Sequence, residues 1–213
     1  MTMPTRGRDL LRALKQAAGS PGPQLCLKVG EPALAWLRPV ATEASRQAPE
    51  DVARLTEWRN ANVGAFLTQF TATPARTSAW LASAIASDDC RVLFMIDDSS
   101  GRTVGYMGLA YIDWEASYGE ADSIVKGLPT EKGLATHAIE TLIGWARGSL
   151  GLADIGVRVR SDNPALEFYR RTGFVELRRT PLVSSEHNGE ISWRESDNGG
   201  PAPIQLVHMR HTR

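Results

Sequence analysis

Residues 121 to 148, ADSIVKGLPTEKGLATHAIETLIGWARG, change periodicity once, and so dictate a strand, a turn and a helix in that order. Asp122, Ser123, Ile124 and Val125 read as extended chain, which Gly127 to Pro129 interrupts. From Gly133 onward Leu134, Ala138, Ile139, Leu142, Ile143 and Ala146 recur at three- and four-residue steps, which puts them on one helix face. Gly133 and Ala135 carry little bulk at the helix start. The first-turn amides have no acceptor inside the helix, and the positive end of the dipole adds to them. Backbone around Lys132, Gly133, Leu134, Ala135 and Thr136 is therefore a candidate phosphate site.

The rest of the chain is read around that unit. At 213 residues a single core is the default. Lys and Arg (24) balance Asp and Glu (24), so no global field attracts nucleic acid or an anionic membrane. No apolar run is long enough to span a bilayer, and the first residues do not read as a signal peptide. Cys26 and Cys90 lack metal-ligand spacing, which fits a reduced, cytoplasmic setting and no metal site.

Arg6 to Ala18 reads as a short helix, followed by a break at Gly19-Ser20-Pro21-Gly22-Pro23. Residues 1–32 are expected to be an extension, loosely attached or packed on a partner, with one domain over residues 33–213. Leu34 to Val40 reads as a first strand, and Pro49 and Pro74 open helices. Val92 to Ile96 is a continuous apolar run suited to a strand buried on both faces, and Val104 to Ile112 is a second strand. Ile155, Val157 and Val159 alternate with Gly156, Arg158 and Arg160, as in a half-buried strand. Strands near Phe174 to Arg178 and Ile204 to Met209 follow, with an excursion at Glu190 to Trp193. Helices fall between strands without strict alternation, so a mixed α/β sheet with helices on both faces is predicted.

The segment SDNPALEFYRRTGF carries its own helix punctuation: Asn163 as cap, Pro164 at the first position and Gly173 as a left-handed stop before Phe174. Taken together, the two segments resemble the GNAT N-acetyltransferases. That family has R/Q-x-x-G-x-G/A at the first site, where this chain has Thr130-Glu131-Lys132-Gly133-Leu134-Ala135. Gly133 and Ala135 match, while Thr130 replaces the usual Arg or Gln. At the second site Asn163, Ala165, Tyr169, Gly173 and Phe174 match. The resemblance runs from about Leu34 to Met209.

It implies a mostly antiparallel central sheet with a splayed pair of parallel strands, and acetyl-CoA as co-substrate. The amides near Gly133 would hold the pyrophosphate, and exposed backbone of Ser123, Ile124 and Val125 would pair with pantetheine. Asn163 and Ala165 would meet the pantetheine or phosphate arm, and the Tyr169 hydroxyl would stand near the sulfur. An alkyl amine has a pKa of about 10 and a thiol about 8.5, so a base and an acid both help at neutral pH. Tyr169 is the candidate acid. Glu120 and Asp122 are the candidate bases, with Glu115 and Asp113 just ahead of them. Trp58, Arg59 and Asn60 have a counterpart in the ribosomal-protein N-terminal and nucleotide-sugar branches, where this helix lines the acceptor pocket. Arg59 would there clamp an acceptor phosphate or carboxylate.

The leading expectation is acetyl transfer to a small-molecule primary amine, such as an amino sugar or natural-product intermediate, with room for a homodimer. The alternatives are acetylation of a protein N-terminus, and a non-catalytic acyl-CoA-binding module.

Overall fold

A computed structural model describes residues 3–21, 25–196 and 202–212. Gly22 and Pro23 of the predicted break lie outside the described residues. The chain runs α1 (Met3–Ala17), β1 (Leu27–Val29), β2 (Ala35–Pro39), α2 (Pro49–Ala61), β3 (Thr68–Gln69) and α3 (Pro74–Trp80, prolonged by a π turn over Leu81–Ile85). It continues with β4 (Val92–Asp98), β5 (Thr103–Asp113), β6 (Tyr118–Lys126), α4 (Leu134–Trp145, prolonged over Ala146–Leu150) and β7 (Asp154–Arg160). Last come α5 (Ala165–Arg171), β8 (Phe174–His187), β9 (Glu190–Glu195) and β10 (Gln205–His211).

Among the described residues the strands form a ten-stranded sheet in the order β1-β2-β4-β5-β6-β7-β10-β8-β9-β3. Its neighbours are antiparallel except for β6 and β7, which run parallel. This is the mixed sheet read from the sequence, with the parallel pair at its centre.

Two cores cover the two faces. On one face Phe94, Met107, Leu109, Ala121, Ile155 and Val157 pack with Leu134, Ala138, Ile139, Leu142, Ile143 and Ala146 of α4 and its prolongation. All six predicted helix-face residues are buried there. On the other face Leu93, Met95, Tyr106 and Val125 pack with Val52, Leu55, Trp58, Leu81 and Ile85, from α2, α3 and its π turn. The run Val92 to Ile96 is buried throughout, as a strand between two helical layers must be.

One expectation is corrected. The segment before Ala33 is not loosely attached over its described residues. Leu11 is fully buried and Leu14 nearly so, both in the α4-side core, and each contributes roughly 1.5–3 kcal/mol by leaving water. A Cβ on Gly7 would lie 2.2 Å from the carbonyl oxygen of Leu150, so α1 sits directly against the chain leaving α4. The Lys15 ammonium donates to the carbonyls of Ile85 (2.9 Å) and Asp88 (2.8 Å), where the α3 helix ends. β1 extends the sheet by pairing with β2. A Gly-Pro break reads as a linker because strand pairing and helix docking depend on partners far along the chain.

Candidate active site

β6 and β7 are hydrogen-bonded neighbours only at Tyr118–Asp154, Gly119–Ile155 and Glu120–Gly156, after which the strands part. The cause lies partly within β6. Between the pairs Asp122–Gly108 and Val125–Tyr106 the register shifts, so Ser123 and Ile124 oppose the single residue Met107. Ser123 occupies the left-handed region at φ +53°, the signature of a β-bulge. In a regular strand Ala121 and Val125 would share a face. Here Ala121 joins the α4-side core and Val125 the α2-side core. The bulge thus turns the strand end, and Ser123, Ile124 and Val125 have no β7 partner on the splayed side.

At the far end of that opening stands the start of α4. Gly133 precedes the helix at φ +93°, a conformation that a side chain makes costly. An added Cβ would meet nothing nearer than 3.9 Å, so the approach to the backbone is open. The Leu134 amide turns back to Glu131 at 3.3 Å, while those of Ala135 and Thr136 have no carbonyl four residues earlier in the helix. Lys132 is exposed beside them. An open glycine, first-turn amides and an unpaired strand edge fit an elongated ligand with a phosphate at one end and amide groups along its arm.

On the other side of the opening is α5. Asn163 Oδ1 accepts the Ala165 amide at 2.9 Å and so caps the helix, and Gly173 ends it at φ +92°. Between them Tyr169 is 7% exposed, with its ring edge-on to Phe174 at 5.7 Å. Burial, and then the nearby Asp122 carboxylate, raise the Tyr169 phenol well above its usual range, so it holds its proton at neutral pH. Tyr106, from the adjacent β5, is 4% exposed and raised chiefly by burial, with Asp122 again adding to the rise. Asp122 therefore lies within electrostatic reach of two buried phenols. Its Oδ2 accepts from Ser123 Oγ at 2.8 Å. Sequence reasoning overlooked Tyr106, whose only signal was its place in a strand.

Glu120 is differently situated. Tyr118 donates to its Oε1 at 2.9 Å and Arg158 Nε to its Oε2 at 2.7 Å. It is 8% exposed and sits where β6 and β7 are still paired. Asp113 ends β5 and Glu115 lies in the turn that follows, where Asp113 Oδ1 accepts the amides of Glu115 and Ala116 (3.0 Å each).

Trp58, Arg59 and Asn60 lie at the end of α2 and organise the loop after it. Trp58 stacks on Tyr106 at 6.4 Å, and a Cβ on Gly127 would lie 2.1 Å from its indole. Arg59 donates to the carbonyls of Phe70 (3.0 Å) and Thr68 (2.8 Å) and lies 3.7 Å from the Phe70 ring centre. Asn60 exchanges two hydrogen bonds with Ala72, at 3.0 and 2.8 Å. β3, within this loop, pairs with β9, so the loop bends round to the opposite end of the sheet. The half-buried alternation expected of β7 fails at Arg160, which is only 5% exposed because Trp193 of β9 packs over it at 4.4 Å. Open depressions of about 490 and 420 Å³ lie along α1, lined by residues such as Lys15 and Asp89 or Leu10 and Ser149, with none from β6, β7 or α5. Among the described residues no His, Cys, Asp and Glu group together as metal ligands. Nor is any helix long and apolar enough to cross a membrane.

A parted parallel pair, a bulge beside it and a glycine-led helix at its mouth define an acyl-CoA transferase architecture, and comparison with known proteins bears this out. Residues 32–175 match the family model described as an acetyltransferase (GNAT) domain, and the chain belongs to that family. It is a GNAT acetyltransferase, and acetyl-CoA is the co-substrate. No curated protein matches the sequence. Similar solved structures include a probable GNAT acetyltransferase from Chromobacterium violaceum (TM-score 0.65, 16% identity, 90% of this chain and 92% of that one). A GCN5-related N-acetyltransferase from Brucella melitensis is also similar (TM-score 0.61, 20% identity, 88% and 80% covered). So is the spermidine N-acetyltransferase of Vibrio cholerae in complex with CoA and spermine (TM-score 0.60, 19% identity, 76% and 89% covered).

Proposed function

We propose that this acetyltransferase moves the acetyl group of acetyl-CoA directly onto the primary amine of a small molecule, with both substrates bound together. The observation that carries the reading is the open strand pair with Asp122 and Tyr169 on its two sides. In the proposed arrangement amides of Lys132 to Thr136 hold the pyrophosphate, backbone of Ser123 to Val125 orients pantetheine, and Asn163 and Ala165 border the arm. Asp122, alone or through a water, takes a proton from the substrate ammonium and so frees the amine to attack. The amine nitrogen then bonds to the thioester carbon, the carbon–sulfur bond breaks as Tyr169 gives its proton to the departing thiolate, and the surplus proton on the new amide nitrogen passes, directly or through a water, to the Tyr169 phenolate. Glu120 is the weaker candidate base, since each of its oxygens already accepts a hydrogen bond.

Trp58, Arg59 and Asn60 shape the acceptor side by fixing the loop after α2 rather than by touching the amine. Residues 33–213 form the catalytic unit, with α1 and β1 bracing it, in a cytoplasmic protein. The test is to incubate purified protein with acetyl-CoA, a panel of amines and N-terminal peptides, and a thiol reagent. Thiol release dependent on a small amine is expected. Release with peptides only would establish protein N-terminal acetylation instead. Acetyl-CoA binding with no release on any acceptor would make the chain a binding module.

A further inference from the structure

Two buried donors on the acceptor side of the sheet have no acceptor of their own. Arg160 ends β7, and Asp162 takes two of its nitrogens, Nε at 3.0 Å and Nη2 at 2.8 Å. The third, Nη1, is buried without a hydrogen-bond partner, on a residue only 5% exposed. The guanidinium carbon lies 4.4 Å from the ring centre of Trp193, whose Nε1 is likewise buried and unpartnered. Folded proteins satisfy nearly all such groups, because a desolvated N–H with nothing to bond is costly, and more so on a cation. Two of them on touching side chains point to an atom that arrives with a ligand.

Their position says which ligand. Arg160 lies four residues beyond Gly156, the last β7 residue paired with β6, and so on the separated part of the strand. Val157 and Val159 face the α4-side core. Arg160, two residues past Arg158, shares the opposite face, where Arg158 meets Glu120. Trp193 comes from β9, and its amide donates at 2.7 Å to Leu67, in the loop that Arg59 and Asn60 hold. Two donors, one a guanidinium, suit the oxygens of a carboxylate or phosphate and offer an ammonium nothing.

We infer that the amine acceptor carries an anionic oxygen group, carboxylate or phosphate, which Arg160 Nη1 and Trp193 Nε1 bind while the amine points to Asp122. The inference rests on the proposed acetyl transfer. It separates this chain from enzymes whose acceptors are polyamines.

Paired amines that differ only in the anion test it: β-alanine against ethylamine, and phosphoethanolamine against ethanolamine, with spermidine as a polycation. The native protein should prefer the anion-bearing member of at least one pair by about tenfold or more in kcat/KM. Trp193→Phe, which keeps a ring but removes the N–H, should lose most of that preference through the amine KM rather than the acetyl-CoA KM. Arg160→Gln should lose it too. Equal use of both members, or a preference that survives Trp193→Phe, overturns the assignment. Preference for succinyl-CoA over acetyl-CoA with ethylamine would move the anion to the acyl chain and overturn it as well. A readout independent of turnover keeps the two proposals apart. The Trp193 indole N–H resonance of the CoA-bound protein should shift with β-alanine or phosphoethanolamine and not with ethylamine or ethanolamine. No shift with either anion sinks the inference even where acetyl transfer stands, and a shift without transfer sinks only the latter.

Discussion

At the scale of single residues, the division of labour between the two acidic side chains of β6 follows from their partners. Glu120 is engaged by Tyr118 and Arg158 where the strands are paired, whereas Asp122 lies beyond the pairing, near two buried phenols. Replacing Glu120 by Gln removes the countercharge of Arg158. It should cost about 1–3 kcal/mol in urea unfolding while kcat falls little. Asp122→Asn should do the reverse, lowering kcat by roughly 10²- to 10³-fold with stability nearly unchanged. A larger kcat loss for Glu120→Gln than for Asp122→Asn would exchange the two roles. Tyr169→Phe keeps the ring against Phe174 and deletes only the hydroxyl. Turnover should drop by about 10²-fold with little change in the acetyl-CoA KM, and unaltered turnover would remove Tyr169 as the acid.

Elements matter where a polar side chain fastens a segment that has no core of its own. The loop after α2 hangs on Arg59 and Asn60, whose four hydrogen bonds all reach backbone of Thr68, Phe70 or Ala72. Arg59→Ala should speed amide hydrogen exchange over residues 64–72 and raise the amine KM several-fold, leaving the acetyl-CoA KM alone, because α4 and β6 are untouched. Equal effects on both substrates would place the loop nearer the cofactor than proposed. For α1 the anchor is apolar. Leu11→Ala leaves a hole in a fully packed site and should cost about 2–5 kcal/mol, read as a lower urea midpoint. A segment that merely trailed from the domain would show no change.

Across the whole molecule, acid should be the weak side of stability. Arg12 holds Asp89, Arg160 holds Asp162 and Arg179 holds Glu176, each below its ordinary carboxylate value. A carboxyl whose folded-state pKa is depressed stabilises the fold above its ordinary pKa and loses that contribution as pH falls through the folded value. The urea midpoint should thus hold from neutrality to about pH 5 and decline below about pH 4, less steeply in high salt because the Arg12–Asp89 and Arg179–Glu176 pairs lie exposed. A flat profile down to pH 3 would show that the pairs contribute nothing. The splay, the bulge and the closing loop are also properties of the whole sheet, since each exists only once strands from distant parts of the chain are neighbours.

Local periodicity and punctuation were sufficient to read α4 with its six buried residues, the Gly133 start, the Asn163 cap and the Gly173 stop. Each is decided within a few residues by φ, by side-chain spacing or by one short hydrogen bond. The same reading took Arg160 for a solvent-facing residue and had α1 loosely attached or packed on a partner, where Leu11 and Leu14 join the domain's own core. It did not anticipate that Glu120 is spoken for by Arg158, or that Asp122 lies within electrostatic reach of the buried Tyr106 phenol. Those outcomes depend on which strand lies next to which, and burial and pairing across a sheet are set by contacts tens of residues apart. Only the folded chain decides them.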